Sequence, residues 1–453
     1  MPDLPASDRF RTAAREALGG LPRQFWWLWT STLINRLGGF VVTFLALYLT
    51  ADRGYSPSYA GLVASLFGLG SAIAAVVGGV LADRIGRRPT LVAAQLGTAL
   101  FTAVLGFTDG QVAIAAVAFL VGLCNNATRP ATSAIIADIV PAEDRVRAYS
   151  LNYWAINIGF GLAAAAAGLI ATQGYLTLFL LDALSTLVCA LVIFVRIPET
   201  RPQAPAAQAD GAPAANLGTV FRDARFMAVV GLNLLLALVA QQGSTTLSVD
   251  MGRAGITSTQ YGLVIGLNGL LIVLLQIPLT RWMEGRNRTA LLVASALFIG
   301  WGYGLTALAG SSAWFYAFTV GVWTIGEILN APTMMGLVAE LSPTHARGRY
   351  QGVYSLSWSL AAFLGPAAGG VLLERAGSAV MWGACAVCGT IAAAGYVVLG
   401  RRTAATGVKT VGTGAGVGTG VGIGTGVGTG SNSGTRPADG RADAGAEPAP
   451  AGS

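Results

Sequence analysis

The chain has 453 residues, of which 54% are hydrophobic and only 11% charged, with a mean hydropathy of +0.62 and a formal net charge of +7. That balance excludes an ordinary soluble domain. The basic residues sit scattered at the ends of apolar runs instead of forming one patch, so the excess charge is no nucleic-acid footprint.

A helix needs about 20 apolar residues to cross a hydrocarbon core ~30 Å thick. The chain offers twelve such segments: 25–49, 57–82, 90–107, 112–138, 150–171, 175–195, 226–249, 260–283, 289–309, 313–339, 351–373 and 377–399. Backbone polar groups in lipid must be satisfied internally, and these runs are too long and continuous for barrel strands. The expected fold is therefore an all-α membrane protein of twelve transmembrane helices.

The organisation predicted in chain order starts with a polar cytoplasmic segment, 1–24, that is no cleavable signal peptide. A six-helix bundle follows at 25–195, then a cytoplasmic linker at 196–225, whose Leu217–Asp223 stretch has the pattern of a short surface helix. A second six-helix bundle spans 226–400. The last stretch, 401–453, is rich in Gly, Thr and Val and is expected to be a disordered cytoplasmic tail.

Orientation follows from the positive-inside rule. With the amino terminus inside, the short inner segments hold ten arginines: Arg84, Arg87, Arg88, Arg145, Arg147, Arg281, Arg286, Arg288, Arg347 and Arg349. The outer loops hold only Arg53, Arg253 and Arg375. Both termini are expected to be cytoplasmic, in a bacterial cell membrane.

Between the second and third spans lies Gly79-Val80-Leu81-Ala82-Asp83-Arg84-Ile85-Gly86-Arg87-Arg88. This stretch resembles the signature of the major facilitator superfamily, a large class of secondary transporters, in its residues and in its position. The resemblance implies two pseudo-symmetric six-helix bundles. It also implies a conformational latch built from Gly79, Asp83, Arg84, Gly86, Arg87, Arg88 and Asp138, in which Asp83 and Arg87 form a charge relay with Asp138 and Asp83 faces the start of span eleven. Two physical rules fit that role: a carboxylate is favoured at a helix N-terminus and an arginine fork can hold two acids. Asp138 as a simple cap at the membrane interface is the plainer alternative.

Shifting spans four and five by 202 positions sets Pro130 over Pro332, Asp138 over Glu340, Arg145 over Arg347 and Arg147 over Arg349. The halves therefore read as duplicates. The second copy of the signature, Leu279–Arg288, keeps the charge but not the pattern, which assigns the specialised role to the first.

Ionisable groups inside spans are costly and point to function. At 1.5 Å per residue, Arg36, Arg129 and Glu327 lie roughly 15–20 Å from the inner ends of spans one, four and ten. In the superfamily it resembles, spans one, four, seven and ten line the cavity. Asn35, Arg36, Asn125, Asn126, Arg129, Gln241, Gln242 and Asn330 on those spans are the candidate substrate contacts. Glu327 is the candidate proton-coupling acid, since burial disfavours a lone carboxylate's charge while a nearby arginine favours it. A permanent Glu327 pair with Arg36 or Arg129 is the competing reading. Asp182 in span six is either a second proton site or a buried hydrogen-bond partner.

The four cysteines fall inside apolar spans, and Cys385-x-x-Cys388 reads as small packing residues. No metal, cofactor or enzyme chemistry is expected. The partners expected are a small-molecule substrate, protons and the lipid bilayer, with no nucleic acid and a monomeric state.

The leading expectation is proton-coupled efflux of drug-like compounds, because Gly326-Glu327-Ile328-Leu329 with Pro332, and Gln276-Ile277-Pro278, resemble the multidrug branch. The Gly-Pro stretch usual in span five of that branch is absent there, and stands instead at Gly365-Pro366-Ala367-Ala368-Gly369-Gly370 in span eleven. The alternative is a proton symporter for an anionic metabolite or peptide, favoured by Arg36 and Arg129.

Overall fold

The computed structural model describes residues 19–141, 144–200, 217–343 and 346–405. The described residues form helices α1 (Arg23–Leu37), α2 (Val41–Leu47, continued by a wider turn Tyr48–Asp52), α3 (Pro57–Arg84), α4 (Arg87–Phe107), α5 (Gln111–Ile139), α6 (Arg145–Ile170) and α7 (Tyr175–Arg196). After the linker come α8 (Leu217–Arg222), α9 (Ala224–Ala240), α10 (Thr246–Arg253), α11 (Ser258–Met283), α12 (Arg288–Gly304), α13 (Ala313–Leu341), α14 (Arg347–Arg375) and α15 (Gly377–Ala405). Ten of these helices are long and apolar enough to cross a membrane. The protein is an all-α, multi-pass membrane protein.

Two expected spans differ from a continuous apolar helix. Span one breaks at Gly38-Gly39-Phe40, so that α1 and α2 are separate. Span seven breaks after Ala240 into a single 3-10 turn, Gln241–Gly243, before α10 begins. There the hydroxyls of Ser244 and Thr245 donate to the Gln241 carbonyl, which offers the backbone an alternative to the helical ladder. Hydropathy alone sees an unbroken run at both places.

The expected linker helix is present as α8. α15 runs on to Ala405, past the 401 boundary expected for the tail; residues 406–453, like 1–18 and 201–216, lie outside the described residues.

The duplication is visible in the backbone. α5 and α13 are each 29 residues long, begin and end 202 positions apart, and carry Pro130 and Pro332 at equivalent places. α6 and α14 also begin 202 positions apart.

Helices from the two halves of the chain meet along two long pairs, α3 with α14 and α6 with α11. Both pairs depend on glycine, because an added Cβ would strike the facing backbone. Gly61 lies against Pro366 and Gly370, and Gly68 against the Ala362 carbonyl; in the second pair Gly262 meets Ala164 and Gly168 while Gly269 meets Asn157 and Gly161. Pro366 has no N–H to offer the Ala362 carbonyl four residues back, and that freed acceptor is the one facing Gly68. The Gly-Pro motif of span eleven is thus used for packing: Gly370 touches α3, while Gly365 and Gly369 receive Gln241 and Gln242 at the break of span seven.

All these contacts lie in the half of the molecule away from the arginine-rich end. Further bonds close that end: Ser58 N to Glu374 at 2.8 Å, the Ala367 N–H to Ser65 Oγ at 2.9 Å, Tyr261 Oη to the Thr43 carbonyl at 3.0 Å and Thr259 Oγ1 to the Gly168 carbonyl at 3.0 Å. Gly78 packs on Ala127 of α5, and Gly79 has open space beside it.

Candidate transport site

The sequence signature folds into a tight turn between α3 and α4. Gly86 takes φ +114° there, a conformation that L side chains rarely adopt. The turn aims Arg87 back under the helices, where its side chain is only 12% exposed. Its Nε lies 3.0 Å from Asp138 and its Nη2 3.6 Å from Asp83. Asp83, Arg87 and Asp138 therefore do come together. Arg84 and Ile85 point to solvent, and Arg88 lies over the Phe194 ring and donates to the Phe194 carbonyl.

The Asp83 side chain is 75% exposed, and among the described residues Arg87 is its ionic partner.

Two further residues complete the cluster. Glu199 accepts the Arg87 and Arg88 backbone N–H groups at 2.9 and 3.1 Å, capping α4 in place of a conventional cap residue. Thr200 donates to Asp138 at 2.9 Å. Sequence reading placed both in a flexible linker; the signal was an acid and a hydroxyl directly after a span, beside a helix start rich in arginine.

The second copy is less degenerate than its pattern suggests. Arg288 pairs with Glu340, the counterparts of Arg87 and Asp138, so the clamp between a third and a fourth helix exists in both halves. Among the described residues, the Asp83 contact and the Glu199 and Thr200 bonds belong to the first clamp.

Deeper in the molecule, polar residues gather at the end of α1 and midway along α5 and α13. Arg129 projects from α5 and is exposed to solvent. Arg36, in the last turn of α1, lies within electrostatic reach of Arg129 and Asp182. Its Nε has no hydrogen-bond partner among the described residues, and neither arginine forms an ion pair there. Gly159 of α6 makes room for it, since a Cβ at 159 would overlap the Arg36 side chain.

Glu327 sits half-buried on α13 and accepts one hydrogen bond, from Asn268 Nδ2 on α11 at 3.0 Å. Asn268 also donates to Thr324 at 3.0 Å. The expected alternative of a permanent ion pair with Arg36 or Arg129 is not made. Tyr153 on α6 and Tyr303 on α12 lie within electrostatic reach of Glu327.

The other candidates divide. Asn125 and Asn126 are half-buried near Arg129, with Asn126 Nδ2 donating to the Ser71 carbonyl at 2.8 Å. Asn35 donates to Thr186 at 3.3 Å, and Gln241 lies against Gly365. Gln242 is buried with both ends of its amide used by Leu238, Gly365 and Thr246, and Asn330 turns to Ser295 of α12. These last two hold helices together rather than facing the space beside Arg129. Asp182 is buried and accepts from the Val41 N–H at 3.1 Å and from Thr186. Sequence reading missed Asp250, buried on α10, which accepts from Tyr316 Oη at 3.1 Å and Trp382 Nε1 at 2.9 Å; it falls one residue beyond the expected end of span seven.

The sequence pattern of the Major Facilitator Superfamily matches residues 28–366 and, again, 244–417. Among curated relatives, the class C tetracycline resistance protein of Escherichia coli is 28% identical over 324 residues, 68% of this chain and 78% of that one. The 4-hydroxybenzoate transporter PcaK of Pseudomonas aeruginosa is 29% identical over 208 residues, 44% of this chain and 46% of the relative. Among solved structures, a POT family transporter in complex with a thioalcohol-conjugated peptide superposes with a TM-score of 0.70 at 15% identity, covering 86% of this chain and 98% of that one. With twin basic clamps, duplicated halves and a polar mid-helix cluster on one fold, the chain belongs to the Major Facilitator Superfamily and is a membrane-embedded secondary transporter.

Proposed function

We propose that the chain is a proton-coupled transporter of a small organic anion, working by alternating access between two six-helix bundles of twelve spans, with the arginine-rich end and both termini in the cytoplasm. The observation that carries this reading is the pair of deep arginines, Arg36 and Arg129, neither of which forms an ion pair among the described residues. A cation at such depth is costly unless a counter-charge visits it, and a carboxylate fits the arginine fork. Glu327, with a single neutral donor and no arginine beside it, is the acid left for the proton. One relative's substrate, 4-hydroxybenzoate, bears such a carboxylate. In this reading substrate crosses by alternate opening of the arginine-rich end and of the glycine-lined contact at the other end.

Efflux of drug-like compounds is the second reading, supported by the tetracycline resistance relative. Proteoliposomes with an imposed pH gradient separate the two. The expected result is proton movement in the same direction as an aromatic carboxylate such as 4-hydroxybenzoate, or as a small peptide. A charge-assisted hydrogen bond contributes about 1.5–3 kcal/mol, so Arg129→Gln should raise the anion's KM about tenfold to a hundredfold. Proton movement opposite to tetracycline, with no response to any anion, would overturn the anion reading in favour of efflux.

A further inference from the structure

The break in span one is held by a side chain from another helix. After Leu37 the backbone turns through Gly38 and Gly39, with Phe40 N bonded to the Gly38 carbonyl at 2.8 Å, and the helix restarts at Val41 with no cap of its own. Asp182 of α7 supplies the missing acceptor: its Oδ2 takes the Val41 N–H at 3.1 Å, and the Phe40 N–H also points at the carboxylate. Thr186, one turn on, donates to Asp182 Oδ1 and accepts from Asn35 Nδ2 at 3.3 Å. Cys189, a further turn along, donates to the Ser31 carbonyl at 3.2 Å. Gly38 has to be glycine, since a Cβ there would overlap Ser185. The charged group facing Asp182 is Arg36, on α1 just before the break.

What lies on each side of the break gives this cap its consequence. Before it stands Arg36. Beyond it α2 carries the closed contact: its Thr43 carbonyl accepts from Tyr261, Phe44 packs edge-on to the Tyr261 ring at 5.1 Å, and Leu47 fits over Gly252. We propose that Asp182 is a positioning residue that pins the restart of span one, and so fixes both how Arg36 is presented beside Arg129 and how α2 seats against α10 and α11 at the closed end. Its carboxylate is used as a hydrogen-bond acceptor for two backbone N–H groups and not as a second proton carrier. The part concerning Arg36 rests on the anion reading above; the part concerning α2 does not.

Asn is as good a helix cap as Asp but carries no charge and no titrating proton, so the conservative variant separates the roles. The assay is labelling of Leu47→Cys from outside whole cells with a membrane-impermeant maleimide, with Cys124, Cys189, Cys385 and Cys388 replaced by Ala. Asp182→Ala should raise the labelling rate several-fold, while Asp182→Asn stays within about twofold of the parent and keeps the parent pH profile of 4-hydroxybenzoate-dependent proton uptake. Equal labelling in the two variants, or a flattened pH profile in Asp182→Asn, would overturn the proposal. If Asp182→Ala fails to fold, Gly38→Ala takes its place: it should raise labelling through its clash with Ser185, and adding Ser185→Gly should restore it. Failure of that rescue would also overturn the pin. The labelling contrast needs no substrate, so an Arg36→Gln variant with normal anion transport would refute the anion reading while leaving this result standing.

Discussion

Replacing Glu327 by Gln tests whether this carboxylate couples transport to protons, and the structure sets the size of the effect. Its one hydrogen bond, from Asn268 at 3.0 Å, can be kept by the amide oxygen of Gln. Losing the charge from that bond costs about 1 kcal/mol, so substrate exchange without a gradient should change by no more than about fivefold. Accumulation should change far more. Each pH unit stores about 1.4 kcal/mol per proton, which sustains about tenfold accumulation for one coupled proton. In proteoliposomes holding a gradient of one unit, the parent should reach roughly that ratio and Glu327→Gln should stay near unity, with counterflow of labelled substrate persisting. Gradient-driven accumulation by the variant at the parent ratio would refute the reasoning and return the search to the other buried acids, Asp182 and Asp250.

The two charge clamps should differ in strength. Arg87 and Asp138 are 12% and 23% exposed, against 45% and 44% for Arg288 and Glu340. Double-mutant cycles measured by unfolding in detergent should give a coupling of about 1–2 kcal/mol for the first pair and below about 1 kcal/mol for the second; equal couplings would contradict the difference in burial. Gly262→Val should block closure of the α6–α11 contact. The expected readout is lost transport at normal protein level with increased outside labelling of Leu47→Cys, and unchanged labelling would contradict the close approach seen there.

Much of this architecture was legible because the bilayer restricts the choices. Long apolar runs, arginines at their ends and the Gly79–Arg88 stretch pointed to the fold, and the 202-residue offset recurs in the bounds of α5 and α13. The meeting of Asp83, Arg87 and Asp138 was legible too, because it is local to two helix ends. Breaks in spans one and seven were not, since hydropathy averages over the three to five residues that make them. Nor was the fate of Gln242 and Asn330, because which face of a helix meets a neighbour depends on the rotation of that helix in the bundle. Asp182 was visible as a buried acid, yet its backbone partners at residues 40 and 41 lie some 140 positions away, beyond any spacing argument. Glu199 was overlooked because linker composition suggested solvent.

The contact between the halves is made of backbone against backbone at Gly61, Gly68, Gly262 and Gly269. At these four positions the facing helix is met by backbone, so parting the helices there requires no side chain to leave one well and enter another. Their attraction is a sum of many small dispersion terms, each shed gradually as the helices separate. Such an interface behaves as a bearing: it tolerates relative motion of rigid helices, wears evenly along its length, and leaves the rate of opening to be set by the ties at its edges, of which the Tyr261 to Thr43 hydrogen bond is one.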